Sequence, residues 1–156
     1  MAKGKSIIVA ANPRGCFLEG VAGAAISPGH MCQLKSATEP DGTNRHTWEV
    51  FNGAADGEQT LVAIAIENRA EGKVNSDAYA ADDRVSLYCP IPGEEMNVLV
   101  QASAGALVIG GKLIVDDSTG TFILTTGTPE SEPFLVLETA SDPGSDTLIH
   151  VIATGS

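Results

Sequence analysis

Aromatic residues make up only 4% of the chain, which removes the stacking platforms that proteins use to hold single-stranded nucleic acid. Basic residues are also scarce: nine against twenty acidic ones leave a formal charge of −11. That balance excludes nucleic acid and an anionic membrane as the main partner. No apolar stretch approaches the ~20 residues of a membrane-spanning helix. The run from Ile7 to Ala11 is short for a secretion signal and meets Asn12-Pro13-Arg14, so a soluble protein made in the cytoplasm is expected.

Reactive constellations are missing as well. Cys16, Cys32 and Cys89 are an odd number at wide spacings, where a disulfide framework favours an even count and zinc favours close pairs. They read as three reduced thiols acting as small apolar groups. His30 and Cys32 lie two apart, but no second ligand pair follows. The histidines, His30, His46 and His150, fall in no metal-binding pattern. Ser103 lacks the nucleophile-elbow context, and Gly105–Lys112 lacks the hydroxyl residue and the helix of a phosphate loop. Asp82-Asp83 and Asp116-Asp117 lack the alternating oxygens of a calcium loop and read as solvated turns. No catalytic, cofactor-binding or metal-ligating residue is therefore assigned, and the chain is expected to be no enzyme and to carry no cofactor.

What the sequence does contain is β structure. Its 156 residues suit one domain. Short β-branched or alternating runs recur between clusters of Gly, Pro, Asp and Asn. The pattern predicts strands at 6–10, 31–36, 46–51, 61–67, 84–89, 97–101, 112–116, 121–125, 134–138 and 147–152. In Arg84–Cys89 the alternation places Val85, Leu87 and Cys89 on one face, whereas in His46–Phe51 it breaks and leaves the inward face open. Trp48 reads as core or subunit contact. Asp41-Gly42, Asn52-Gly53, Asp56-Gly57 and Thr119-Gly120 mark turns, and Ser76–Ala81 has the character of a single helical turn.

A weak repeat runs through these strands. One copy begins at Ser27–Leu34, continues through Ala63-Ile64-Ala65-Ile66-Glu67 and closes on Arg84–Cys89. The other begins at Val108–Val115, continues through Phe134-Leu135-Val136-Leu137-Glu138 and closes on Thr147–Ile152. Pro90–Glu95 makes the connector, in which Pro90 and Pro92 stop the preceding strand. The fold class is all-β: a compact β-barrel or β-sandwich, with two similar β units as one form of it, and an extended N-terminal arm. The arm is 1–18 and the β-rich body 19–156, divisible at 19–92 and 93–156.

The arm stands apart by charge. Lys3, Lys5 and Arg14 precede the first acid, Glu19, so a cationic leader joins an acidic body. Ile7-Ile8-Val9 and Phe17-Leu18 are too apolar to leave in water. Lys5, Ile7, Ile8, Val9, Arg14 and Phe17 are the candidate contact residues, toward an acidic partner or a sister subunit.

The stretch Val21–Leu34 resembles the N-terminal part of the small head decoration (cement) proteins of tailed bacteriophages. So do Ala63–Glu67, Gly72-Lys73, Asp77–Val85 with its Tyr-Ala-Ala-Asp-Asp-Arg-Val run, and the Pro-x-x-Gly-Glu-Glu turn at Pro90–Glu95. The resemblance covers roughly residues 20–100. It implies a β-rich virion protein on the outer surface of an assembled phage capsid, bridging neighbouring major capsid proteins and stabilising the shell. It implies a homo-oligomer, a trimer before a dimer, and brings no catalytic residues. The competing readings are another virion component, coat or tail, and a β-sandwich ligand-binding module.

Overall fold

The computed structural model describes residues 5–9, 13–35, 46–53, 61–125 and 134–154. Within them run ten strands: β1 (Cys16–Ala22), β2 (Met31–Leu34), β3 (Thr47–Val50), β4 (Val62–Ile66), β5 (Arg84–Cys89), β6 (Glu95–Val100), β7 (Lys112–Val115), β8 (Phe122–Leu124), β9 (Phe134–Val136) and β10 (Thr147–Ala153). They close into two five-stranded barrels, in the order β1-β3-β2-β4-β5 and β10-β6-β8-β7-β9. The all-β class read from the sequence is the observed one.

The two barrels have the same topology. β1 pairs antiparallel with β5 and parallel with β3, and β6 pairs antiparallel with β10 and parallel with β8. The remaining pairs correspond as well: β2 with β3 and β4 as β7 with β8 and β9, and β4 with β5 as β9 with β10. The registers superimpose the repeat read from the sequence. Ile26 bridges Tyr79 where Leu107 bridges Ala140. Glu67 and Glu138 each follow the inner strand of their copy. Closure pairs both edges of each sheet, which a free hairpin leaves open to aggregation.

Side-chain alternation gives each barrel its interior. Ala22, Cys32, Trp48, Ala63, Ala65, Val85 and Leu87 form the first core, with Cys89 packed against it. Tyr79 joins them, its hydroxyl donating to Ile66 O at 2.6 Å. The second interior includes Val98, Val100, Leu113, Phe122, Phe134, Val136 and Val151, with Phe122 and Phe134 edge to face at 5.3 Å. β4 explains why Ala63–Ile66 is apolar throughout. Ala63 and Ala65 belong to the first core, whereas Ile64 and Ile66 belong to the second. A strand buried on both faces loses its alternation. The same division accounts for the break in His46–Phe51: Val50 packs on the first cluster and Phe51 on the second.

Two glycines let the barrels touch. Gly120 sits at φ 63, and its carbonyl accepts Met31 N at 2.9 Å. A Cβ there would lie 2.3 Å from Val50 Cγ1 and 2.7 Å from Met31 O. Gly29, at φ 95, accepts Leu99 N at 3.0 Å, and its Cβ would meet Leu148 at 2.7 Å.

Three sequence readings change. β1 was not among the predicted strands, and it begins at Cys16, inside the stretch read as the leader. Residues 6–10, read as a strand, form one bridged position, Ile8 opposite Met96, with Ala10 outside the described residues. Ser76–Ala81 is not helical. Tyr79 is held there by two backbone bonds to Ile26, and the short 3-10 turn lies earlier, at Arg69–Glu71. The Asp41-Gly42 and Asp56-Gly57 turns lie outside the described residues.

Candidate functional site

The leader is tied to the body of its own chain through three glutamates. Lys5 forms an ion pair with Glu138 and donates to Leu148 O at 3.1 Å. Ser6 Oγ donates to Glu67 at 2.7 Å, and Ile7 N donates to the same carboxylate at 3.1 Å. Arg69 reaches Glu67 at 2.8 Å and Ser6 Oγ at 2.6 Å. Glu67 and Glu138 occupy corresponding places in the two copies, so one element of the repeat serves the same purpose twice.

Between these clamps the leader extends the sheet alongside β6. Asn97 N donates to Ile7 O at 2.7 Å, and Val9 N donates to Glu95 O at 3.2 Å. Asn97 Nδ2 donates to Ser6 O at 2.5 Å. Ile7 is fully buried in the second core and Ile8 packs against it.

Glu94 holds the other end. Its side chain accepts from Arg14 N at 2.5 Å, Gly15 N at 3.3 Å, Ile91 N at 3.0 Å and Tyr88 Oη at 2.7 Å. Tyr88 Oη also accepts from Gly15 N at 2.8 Å. Four donors replace the water that Glu94 loses on burial, as a buried carboxylate requires.

The electrostatics follow from these bonds. Burial opposes ionisation of Glu94, yet the amides of Arg14, Ile91 and Gly15 and the Tyr88 hydroxyl outweigh it and hold the carboxyl below its usual range. For Glu67, burial is overcome by Ser6, the Ile7 amide and Arg69. For Glu138 it is overcome by Lys5 and the His150 amide. Burial, with the Glu94 bond, pushes the Tyr88 phenol up to about 12. All three leader clamps are therefore built for the ionised carboxylate.

The sequence-read contact residues divide accordingly. Lys5, Ile7 and Ile8 have partners within the chain. Val9 and Phe17 stay 41% and 56% exposed, and the Arg14 side chain is exposed. Phe17 lies on Tyr88 with ring centroids 4.9 Å apart. The backbone amides of Val9 and Arg14 bond to Glu95 O and the Glu94 carboxylate, and Phe17 reaches the same region through Tyr88. Three exposed residues of the leader, two apolar and one cationic, thus keep side chains that the body does not bury. Glu67, Glu94, Glu138, Tyr88 and Asn97 were not singled out from the sequence. The one signal for Glu67 and Glu138 was the Glu that ends the apolar strand in both copies of the repeat.

Elsewhere, Trp48 is buried in the first core. His30 accepts from Ser27 N at 3.0 Å through Nδ1, and burial lowers its pKa against the pull of Asp146. Burial raises the Cys32 thiol to about 12. Asp116 accepts from the amides and hydroxyls of Ser118 and Thr119, and Asp83 pairs with Lys73. Among the described residues, no three His, Cys, Asp or Glu side chains converge as a metal site requires.

Two tandem five-stranded barrels with a leader laid between them define the architectural class. Among solved structures, the N base of head fiber gp8.5 of bacteriophage phi29 is similar in fold, with a TM-score of 0.54 over 90% of this chain and 94% of that one, at 11% sequence identity. No known family profile matches the sequence, nor does any curated protein sequence.

Proposed function

We propose that the chain is a structural protein of a phage virion that binds the outer surface of the assembled capsid and bridges neighbouring major capsid proteins. The observation that carries this reading is the likeness of fold to a phage head fiber base along nearly the whole of both chains. The resemblance of residues 20–100 to head decoration proteins, drawn from different features of the chain, points to the same location. Its chemistry is that of attachment: a net acidic chain, and Val9, Arg14 and Phe17 left exposed along the leader. Many copies on one shell add modest individual affinities through multivalency. In this reading the protein is a homo-oligomer, a trimer before a dimer, made in the host cytoplasm and carried on the virion exterior, with no catalytic role.

Co-sedimentation with expanded capsids that lack the protein tests the proposal. Saturable binding to expanded shells, with no pelleting of the protein alone, supports it. Pelleting as self-assembled shells would make the chain a coat protein, and no binding at all would end the capsid reading. The head fiber neighbour also favours a second reading, in which the two barrels form the base of a virion appendage. Binding confined to a few sites per particle would select it.

A further inference from the structure

Cys16 and Cys89 are widely separated in sequence, yet they are directly opposed in the ladder that closes the first barrel. Opposed residues of an antiparallel pair have Cα atoms about 4.5–5.5 Å apart, within the ~4.4–6.8 Å that a disulfide spans. The backbones are close at this point: a Cβ added to Gly15 would lie 2.1 Å from Cys89 O. Cys16 is exposed, Cys89 is part-buried and Cys32 is buried. The backbones of the two residues therefore have the spacing of a disulfide, while the third cysteine is sealed inside. Cys16 Sγ now donates to Phe17 O at 3.7 Å and Cys89 Sγ to Val62 O at 3.4 Å, so forming the link requires the side chains to turn toward each other.

We propose that Cys16 and Cys89 are a disulfide-forming pair that staples β1 to β5 when the protein meets a small-molecule disulfide such as oxidised glutathione. The exposed Cys16 thiolate attacks one glutathione sulfur, forming a mixed disulfide and expelling the first glutathione thiolate. Cys89 then attacks the Cys16 sulfur and expels the second. Two protein thiols become one disulfide, the glutathione disulfide becomes two thiols, and the two protons released by the cysteines pass to the departing glutathiones. Burial, with the neighbouring Cys16, raises the Cys89 thiol, so Cys89 resolves the mixed disulfide and does not start the exchange.

The staple sits where the leader enters the body. Gly15 adjoins Cys16, and its amide is bonded to Tyr88 Oη and Glu94. The link fixes that junction covalently. It does not depend on the capsid reading: the pairing is a property of the isolated chain, and its test needs no particle.

The test treats the full-length reduced protein with oxidised glutathione, blocks remaining thiols, and digests it with trypsin and a glutamate-specific protease. Cleavage at Glu19 separates Cys16 from Cys32, which share a tryptic fragment. The expected result is a chain with no inter-chain disulfide, one free thiol, Cys32, and a Cys16–Cys89 linked peptide. Its Tm should rise by roughly 5–10 °C over the reduced form and fall back with reductant. Cys16→Ser, at an exposed position, should keep the reduced Tm and show no rise. A stable glutathione adduct on Cys16 without the link, a disulfide between two chains, or any disulfide containing Cys32 would overturn the proposal.

Discussion

Glu94 loses water on folding and recovers four donors, and the balance favours its charged form. Its pKa lies below that of an unfolded glutamate, about 4.3, so its contribution is fully present above that value and is lost as pH falls through the lower folded pKa. Glu67 and Glu138 follow the same sign, being depressed by Ser6 and Lys5 after burial is overcome. The protection factors of the Ile7, Arg14 and Gly15 amides in hydrogen exchange should therefore be high at neutral pH and fall below about pH 4. In Glu94→Gln, the Arg14 and Gly15 amides should exchange faster at neutral pH and lose most of that pH dependence, at a cost of about 1–3 kcal/mol. Unchanged protection in the variant would remove Glu94 as the anchor. Arg14 has a separate role, because Glu94 holds its amide while its side chain is exposed. If Arg14 meets an acidic coat surface, Arg14→Glu should weaken capsid binding more at low salt than at high salt. An effect independent of salt, measured by co-sedimentation, would exclude the electrostatic account.

At the scale of elements, the leader is a piece of the fold as well as a candidate contact. Ile7 is fully buried, and backbone bonds tie residues 7 and 9 to β6. Removing residues 1–9 should cost about 3–5 kcal/mol, read by denaturant unfolding, through the lost Ile7 burial and the lost hydrogen bonds. A truncated chain of full stability would show that the docking is superficial. For capsid contact the cleaner probe is Phe17→Ser, which removes an exposed ring and leaves the clamps in place. It should lower capsid affinity while shifting stability by less than about 1 kcal/mol.

Much of this level was legible beforehand. Arg84–Cys89 alternates cleanly because β5 turns one face into the first core. Val62–Ile66 announces a strand but conceals its direction, since both its faces are buried. β1 was hidden because Gly20 and Glu19 interrupt its apolar pattern. Gly20 is small for a reason that only packing reveals: Trp48 Cδ1 would be 2.4 Å from a Cβ there. The opposition of Cys16 and Cys89 was equally out of reach, because spacing along the chain says nothing of ladder register. The glutamates ending the apolar strand of each copy were visible, but their purpose required seeing the leader cross both.

For the whole molecule, the repeat in the sequence and the repeated topology are one fact seen twice. Each copy closes a barrel, and the faces where the barrels meet are joined through glycines. Gly120→Ala should destabilise the protein by about 2–4 kcal/mol, combining a positive φ with a collision against Val50 and Met31. Circular dichroism melting would measure it, and a Tm within a degree of the parent would mean the barrels meet elsewhere. The proposed function has this two-barrel body bridging subunits of a shell. A cryo-microscopy reconstruction of capsids saturated with the protein addresses that claim most directly. The account predicts density for both barrels on the outer face, spanning adjacent coat subunits, with the exposed leader residues Val9, Arg14 and Phe17 against the shell. Saturated particles with a bare exterior, or with the protein confined to the interior, would contradict it.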